Sequence, residues 1–139
     1  MKRRIPVCLL GLVSVVCGQP APMILIDTHN DVTSETVKGL DLGVRRTKGH
    51  TDIPRLREGG VSAVFFAAYV DPAYARNGRS AKRALEMIDT IRHDIVAKHP
   101  ADFVLAGTAV EIGSAARAGK IAALIGIEGL SDAAAQQIA

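Results

Sequence analysis

The chain has 139 residues, 48% of them hydrophobic and 22% charged, enough for one modest domain. Its 17 Lys and Arg exceed 14 Asp and Glu, but three of those bases, Lys2, Arg3 and Arg4, stand at the extreme start. Without the first 18 residues, which contain no acid, 14 bases face 14 acids, so the sequence pI of 9.1 makes no case for nucleic-acid binding.

Residues 1–18 read as an export signal peptide. Lys2-Arg3-Arg4 is a basic start, and Ile5 to Cys17 is an apolar stretch too short to span a bilayer. Val16-Cys17-Gly18 places small residues before a cut at Gly18/Gln19. The mature chain then lacks a transmembrane span, and the expected location is periplasmic or secreted. Cys8 and Cys17 leave with the signal, so no disulfide framework remains. Lipid anchoring at Cys17 is the lesser alternative, because Val16 is bulkier than such a site usually tolerates.

Residues 23–139 form the folded portion in this reading. Met23-Ile24-Leu25-Ile26 is a short apolar run that reads as a buried strand and ends in Asp27-Thr28-His29-Asn30-Asp31. His29 and Asp31 are two apart, so in extended chain both side chains point to one side. An imidazole and a carboxylate side by side can share one divalent metal. The competing reading is a turn in which Asn30 and Asp31 hydrogen-bond the backbone.

Thr28 to Gly49 is polar and reads as a long loop with at most a helical turn. Asp52 to Gly60 predicts a short helix, with Asp52 as cap, Pro54 in the first turn and Gly59 as terminator. His50-Thr51-Asp52 repeats the His-x-Asp pattern, yet here Asp52 is better explained as the cap and His50 as a loop residue. Val61 to Val70 predicts a second strand and Asp71 to Arg79 a loop. Ser80 to Lys98 predicts a helix whose stripe is Ala84, Leu85, Ile88, Ile91, Ile95 and Val96, ended by His99-Pro100. His93 and His99 read as solvated. Phe103 to Ala106 predicts a third strand, and Thr108-Ala109-Val110-Glu111 is a capping-box pattern for a helix closed by Gly119. Ile121 to Ile127 is continuously apolar, a fourth strand buried on both faces, followed by Glu128-Gly129. Residues 132–139 are helix-like.

Strands separated by helices predict an α/β fold with a parallel sheet and right-handed crossovers. Such sheets carry chemistry at the carboxyl ends of their strands, where His29, Asp31 and Glu128 all fall. No glycine-rich loop follows a strand at the spacing a phosphate site requires.

Three blocks resemble the zinc-dependent membrane (renal-type) dipeptidase family, peptidase family M19. They are Ile26-Asp27-Thr28-His29-Asn30-Asp31, the stretch from His50-Thr51-Asp52-Ile53-Pro54-Arg55 to Val61 followed by Phe65-Phe66, and Gly119 to Glu128-Gly129. The resemblance runs from about Met23 to Gly129. It implies the N-terminal portion of a (β/α)8 TIM-type barrel, with about four strands present, and two zinc ions at the carboxyl-end rim. It assigns His29 and Asp31 to one zinc and makes Glu128 the carboxylate that bridges both. In such centres two cations about 3.5–4 Å apart polarise the scissile carbonyl and activate a water. The implied activity is hydrolysis of dipeptides, and the implied partners are a dipeptide substrate and, as an open option, a second copy in a homodimer.

Two departures qualify that reading. The family's remaining zinc-ligand histidines lie downstream of the Glu-Gly block, and a full barrel takes about 250 residues. After Gly129 the family continues with Gly and His, whereas Leu130 and Ser131 stand here. The expectation is therefore a chain weakly active or inactive by itself. The alternatives are a non-catalytic remnant or binding protein, and a related metal-dependent amidohydrolase. The last is disfavoured because Asp31 stands where those enzymes have the second His of His-x-His.

Overall fold

Four strand segments, separated by helices, satisfy their backbone N–H and C=O groups by pairing in parallel. The computed structural model describes residues 23–130. The expected export signal with Cys8 and Cys17, and the helix expected over 132–139, lie outside the described residues. In chain order the elements are β1 (Leu25–Asn30), α1 (Thr33–Thr36), α2 (Ile53–Glu58), β2 (Val61–Tyr69), α3 (Pro72–Arg76), α4 (Ser80–Thr90), a π-helical continuation (Ile91–Ala97), β3 (Phe103–Leu105), α5 (Ala109–Arg117) and β4 (Ile121–Glu128).

The sheet order is β1-β2-β4-β3, all parallel. Its centre is the β2–β4 pair, in unbroken register from Ala63↔Ala122 to Tyr69↔Glu128. β3 lies outside β4 rather than between β2 and β4, and pairs only from Phe103↔Ile121 to Leu105↔Ala123. Three residues cannot replace a seven-pair ladder, so the two long strands zip together and the short one is an edge addition.

Alternation along the strands sends side chains to two cores. Val64, Phe66, Ala68, Ile121 and Ala123 join Leu42, Ile53, Leu56, Met87, Ile91, Ile95 and Phe103 on one face. Ala63, Ala122 and Leu124 meet Ile112 and Ala115 of α5 on the other. The connection from β3 to β4 runs back across the sheet, and a right-handed crossover in that direction puts its helix on the opposite face. Phe66 and Phe103 pack edge to face, centroids 5.7 Å apart, at the heart of the larger core.

Several expectations need correction. The run Met23 to Ile26 is not buried: Ile24, Leu25 and Ile26 are exposed, because β1 has a neighbour on one side only among the described residues. The strand itself starts at Leu25 and runs on to Asn30. β4 is buried in its first four residues and opens toward Glu128. The Asp71–Arg79 loop contains α3, which Asp71 caps through Ala73 N–H. The long helix divides after Thr90, and Lys98 N–H bonds His93 C=O five residues back. Within the regular helix before that break, Leu85 is outward (53% exposed) and Met87, absent from the expected stripe, lies in the core with Ala84, Ile91 and Ile95. Gly59 ends α2 in ordinary helical geometry, and the left-handed turn is at Gly60 (φ 68°). His99 is not solvated: its ring faces Asp41, Nε2 to Oδ1 3.0 Å.

Candidate metal centre

β1 and β4 deliver the site from both sides of β2. The register of β1 breaks between Asp27 and Asn30, so His29 lies in an irregular stretch where the strand re-aims its side chains. Asp27 organises that stretch. One carboxylate oxygen accepts His29 N–H at 3.2 Å, and the other accepts the Asn30 amide Nδ2 at 2.7 Å. Asn30 Oδ1 in turn accepts Val32 N–H at 3.2 Å, which makes the turn into α1. The turn reading is thus correct for Asn30, and it leaves the Asp31 carboxylate outside the turn's hydrogen bonds. Asp31 reaches His29 through this turn rather than through strand alternation.

His29 Nε2 stands 3.4 Å from Asp31 Oδ1 and 3.4 Å from Glu128 Oε1. One ligand atom from each of the three residues lies within 4.8 Å of the others, the one such three-ligand group among the described residues. A tetrahedral ion with bonds of about 2.1 Å has ligand-to-ligand edges of roughly 3.4 Å. The two His29 separations equal that edge while being long for a hydrogen bond. The donors, one imidazole and two carboxylates, are ligand types that divalent ions take. All three side chains are partly exposed, so a ligand can reach them. The set fits one divalent ion. A further set for a second ion is not found among the described residues.

Glu128 is fixed from the sheet side. Val70 N–H bonds Glu128 C=O at 3.0 Å, and Gly129 (φ 75°) is so close to Val70 C=O that a Cβ there would overlap it. Only glycine meets both conditions at once.

A cavity of about 240 Å³ opens beside the group, lined by His29, Asn30, Asp31, Glu35, Arg46 and His50 among others. Arg46 pairs with Glu35 at its wall. Sequence reasoning assigned Arg46 and Glu35 no role and left His50 as a loop residue; nothing in local spacing placed them beside His29. Asp52 behaves as expected and more. Wholly buried, it accepts Arg55 N–H at 2.9 Å, Arg46 N–H at 3.0 Å and Arg55 Nε at 2.7 Å. Burial alone would raise its pKa, but these donors outweigh it and hold the carboxyl below its ordinary range.

The sequence model of one protein family, described as membrane dipeptidase (peptidase family M19), matches residues 20–137. Curated relatives include dipeptidase ataJ of Aspergillus terreus, 39% identical over 127 residues, and dipeptidase verJ of Clonostachys rogersoniana, 35% identical over 122. Dipeptidase 3 of Mus musculus is 33% identical over 111 residues. Each match covers 76% of this chain but only 29%, 31% and 21% of the relative, so the chain spans less than a third of their length. Among solved structures, the metallopeptidase dipeptidase AC superposes with a TM-score of 0.63 at 24% identity, over 77% of this chain and 35% of its own. A metallopeptidase of Rhodobacter sphaeroides, liganded with a phosphinate mimic of the dipeptide L-Ala-D-Ala, gives 0.64 at 22%, over 77% and 38%.

Proposed function

The chain belongs to the membrane dipeptidase family, peptidase family M19, and from that membership we propose that it carries the zinc-binding N-terminal part of an exported dipeptidase. Its four parallel strands are a portion of that family's TIM-type barrel. The export signal occupies residues 1–18 and the barrel portion residues 23–139 in this proposal. Among the described residues no helix is long and apolar enough to cross a membrane.

One observation carries the reading. An imidazole nitrogen and two carboxylate oxygens meet at the carboxyl-end rim with the edges of a metal polyhedron. His29 and Asp31 would hold one zinc ion, with Glu128 as the carboxylate that would be shared with a second. When bound, the ions supply Lewis acidity and lower the pKa of a water toward neutrality. The chain's own residues orient and enclose. The cavity of about 240 Å³ beside His29 and Asp31 gives a ligand access to them. At its wall Arg46 and Glu35 are paired with each other.

Metal stoichiometry tests this. The chain should hold one zinc ion per molecule after dialysis against a weak chelator, and His29→Ala or Glu128→Gln should release it while leaving the far-ultraviolet circular dichroism unchanged. Turnover of dipeptides should be weak or absent, since the described residues complete one ion's ligands and not two. A wild-type chain that retains no zinc would remove the metal reading. Vigorous dipeptide turnover would overturn the expectation of an incomplete centre.

A further inference from the structure

Between the two candidate ligands His29 and Asp31 stands Asn30, half-buried and hydrogen-bonded on every side. Its amide nitrogen donates to Asp27 Oδ2 (2.7 Å) and to Thr51 Oγ1 (3.0 Å). Its amide oxygen accepts Val32 N–H (3.2 Å) and lies 3.3 Å from the same Thr51 hydroxyl. The Thr51 hydroxyl therefore faces the whole amide edge. It makes no hydrogen bond to His29, Asp31 or Glu128.

Thr51 belongs to the chain entering α2, which is itself firmly anchored. Arg55 donates to Gly49 C=O at 2.8 Å, and Asp52 accepts Arg46 N–H at 3.0 Å. Arg46 binds Glu35, and its guanidinium fills the space where a side chain at Gly49 (φ 75°) would stand. So Thr51 projects from a rigid platform, 21 residues away in sequence, onto the one side chain that lies between two ligand candidates.

We propose that Thr51, acting through the Asn30 amide, is a positioning residue for the metal centre. The inference rests on the reading of His29, Asp31 and Glu128 as metal ligands. The Thr51 hydroxyl fixes the Asn30 amide plane. That plane fixes both Asp27, which holds His29 N–H, and Val32 N–H, which closes the turn at Asp31. Without the hydroxyl one Asn30 N–H turns to water, the amide rotates, and the His29 and Asp31 backbones lose a common restraint. Metal sites tolerate displacements of only a few tenths of an ångström, so outer partners of ligands typically contribute about 10–100-fold in metal affinity.

The test compares Thr51→Val, which keeps shape and removes the hydroxyl, with Thr51→Ser, which keeps the hydroxyl, in the 139-residue chain. Zinc affinity is read by competition with a chromophoric chelator, and coordination geometry by the visible spectrum of the cobalt(II) form. Melting temperatures accompany both. Thr51→Val should bind zinc about tenfold more weakly with an altered cobalt spectrum, and Thr51→Ser should restore both to wild type. Thr51→Ala is the second variant should Thr51→Val not fold, with the same expected loss. Wild-type affinity and spectrum in a folded variant without the hydroxyl overturn the proposal, as does equal weakening in Thr51→Ser. A wild-type chain that binds no zinc is a separate result: it removes the metal reading itself, and this inference with it.

Discussion

Asp52 is the residue on which local stability and site geometry both depend. Its carboxylate caps α2, pairs Arg55 and holds the Arg46 backbone that walls the cavity. Replacing it with alanine removes the cap and leaves buried donors unpaired, an expected cost of about 2 kcal/mol or more in urea unfolding. A loss under about 0.5 kcal/mol would mean that the cap is redundant. Three acids have pKa values held below their ordinary range. The Lys98 ammonium and Gly43 N–H beside Asp41 lower its pKa, as the donors around Asp52 outweigh burial to lower that one, and Gly107 N–H with the Thr108 hydroxyl lowers Glu111. A lowered folded pKa means that the unfolded chain binds more protons at acid pH. The stabilisation is complete above the ordinary values of 3.8 for Asp and 4.5 for Glu and is lost as pH falls through the folded ones. Melting temperature of the metal-free chain should therefore be level near neutrality and fall below about pH 4. A melting temperature that rises on acidification would contradict this. The cap was legible from Asp52-Ile53-Pro54 alone, because capping is local; the bond to Arg46 was not, because it comes from a loop.

Among the elements, the β2–β4 pair matters most to the site, and Gly129 closes it. Gly129→Ala needs a left-handed alanine, costing about 1–2 kcal/mol, and its methyl overlaps Val70 C=O. It should lower stability and weaken zinc binding together, because Glu128 is the preceding residue. α5 provides the contrast. Its Thr108–Glu111 capping box is complete, and the helix packs on the face away from α1 and α2. Thr108→Ala should cost about 1 kcal/mol and leave zinc affinity unchanged. Equal effects of the two substitutions on zinc would separate the site from the β2–β4 junction. The α4 region shows that spacing alone does not pick the buried stripe. Ala84, Met87, Ile91 and Ile95 are buried at spacings of three and four while Leu85 is exposed, because the sheet lies across the Met87 side of the helix.

At the scale of the whole molecule, the described sheet is open. β1 pairs on one side, and β3 covers only the first three residues of β4. Met23, Ile24, Leu25 and Ile26 present apolar side chains along one edge, with Val104, Leu105 and Ile127 exposed toward the other. A barrel removes such edges by closing, whereas an open edge templates pairing with another chain. The 139-residue chain should therefore associate with rising concentration in light scattering, and Leu25→Lys should reduce that association. A monomer at all concentrations that binds no hydrophobic dye would show the edges to be covered.

The sequence by itself determined the parallel α/β class, the caps at Asp52 and Thr108, and the three candidate ligands. Each is a local signal: a hydrophobic run, a capping spacing, or a ligand-type residue at a strand end. Only the tertiary structure decided the order β1-β2-β4-β3, the exposure of β1 and the meeting of His29 with Glu128, 99 positions apart. Strand order depends on which ladders are long enough to form, and burial depends on what lies across the sheet. The Asn30–Thr51 bond belongs to that second kind, since a hydroxyl becomes a partner of an amide only when a distant loop is folded against it.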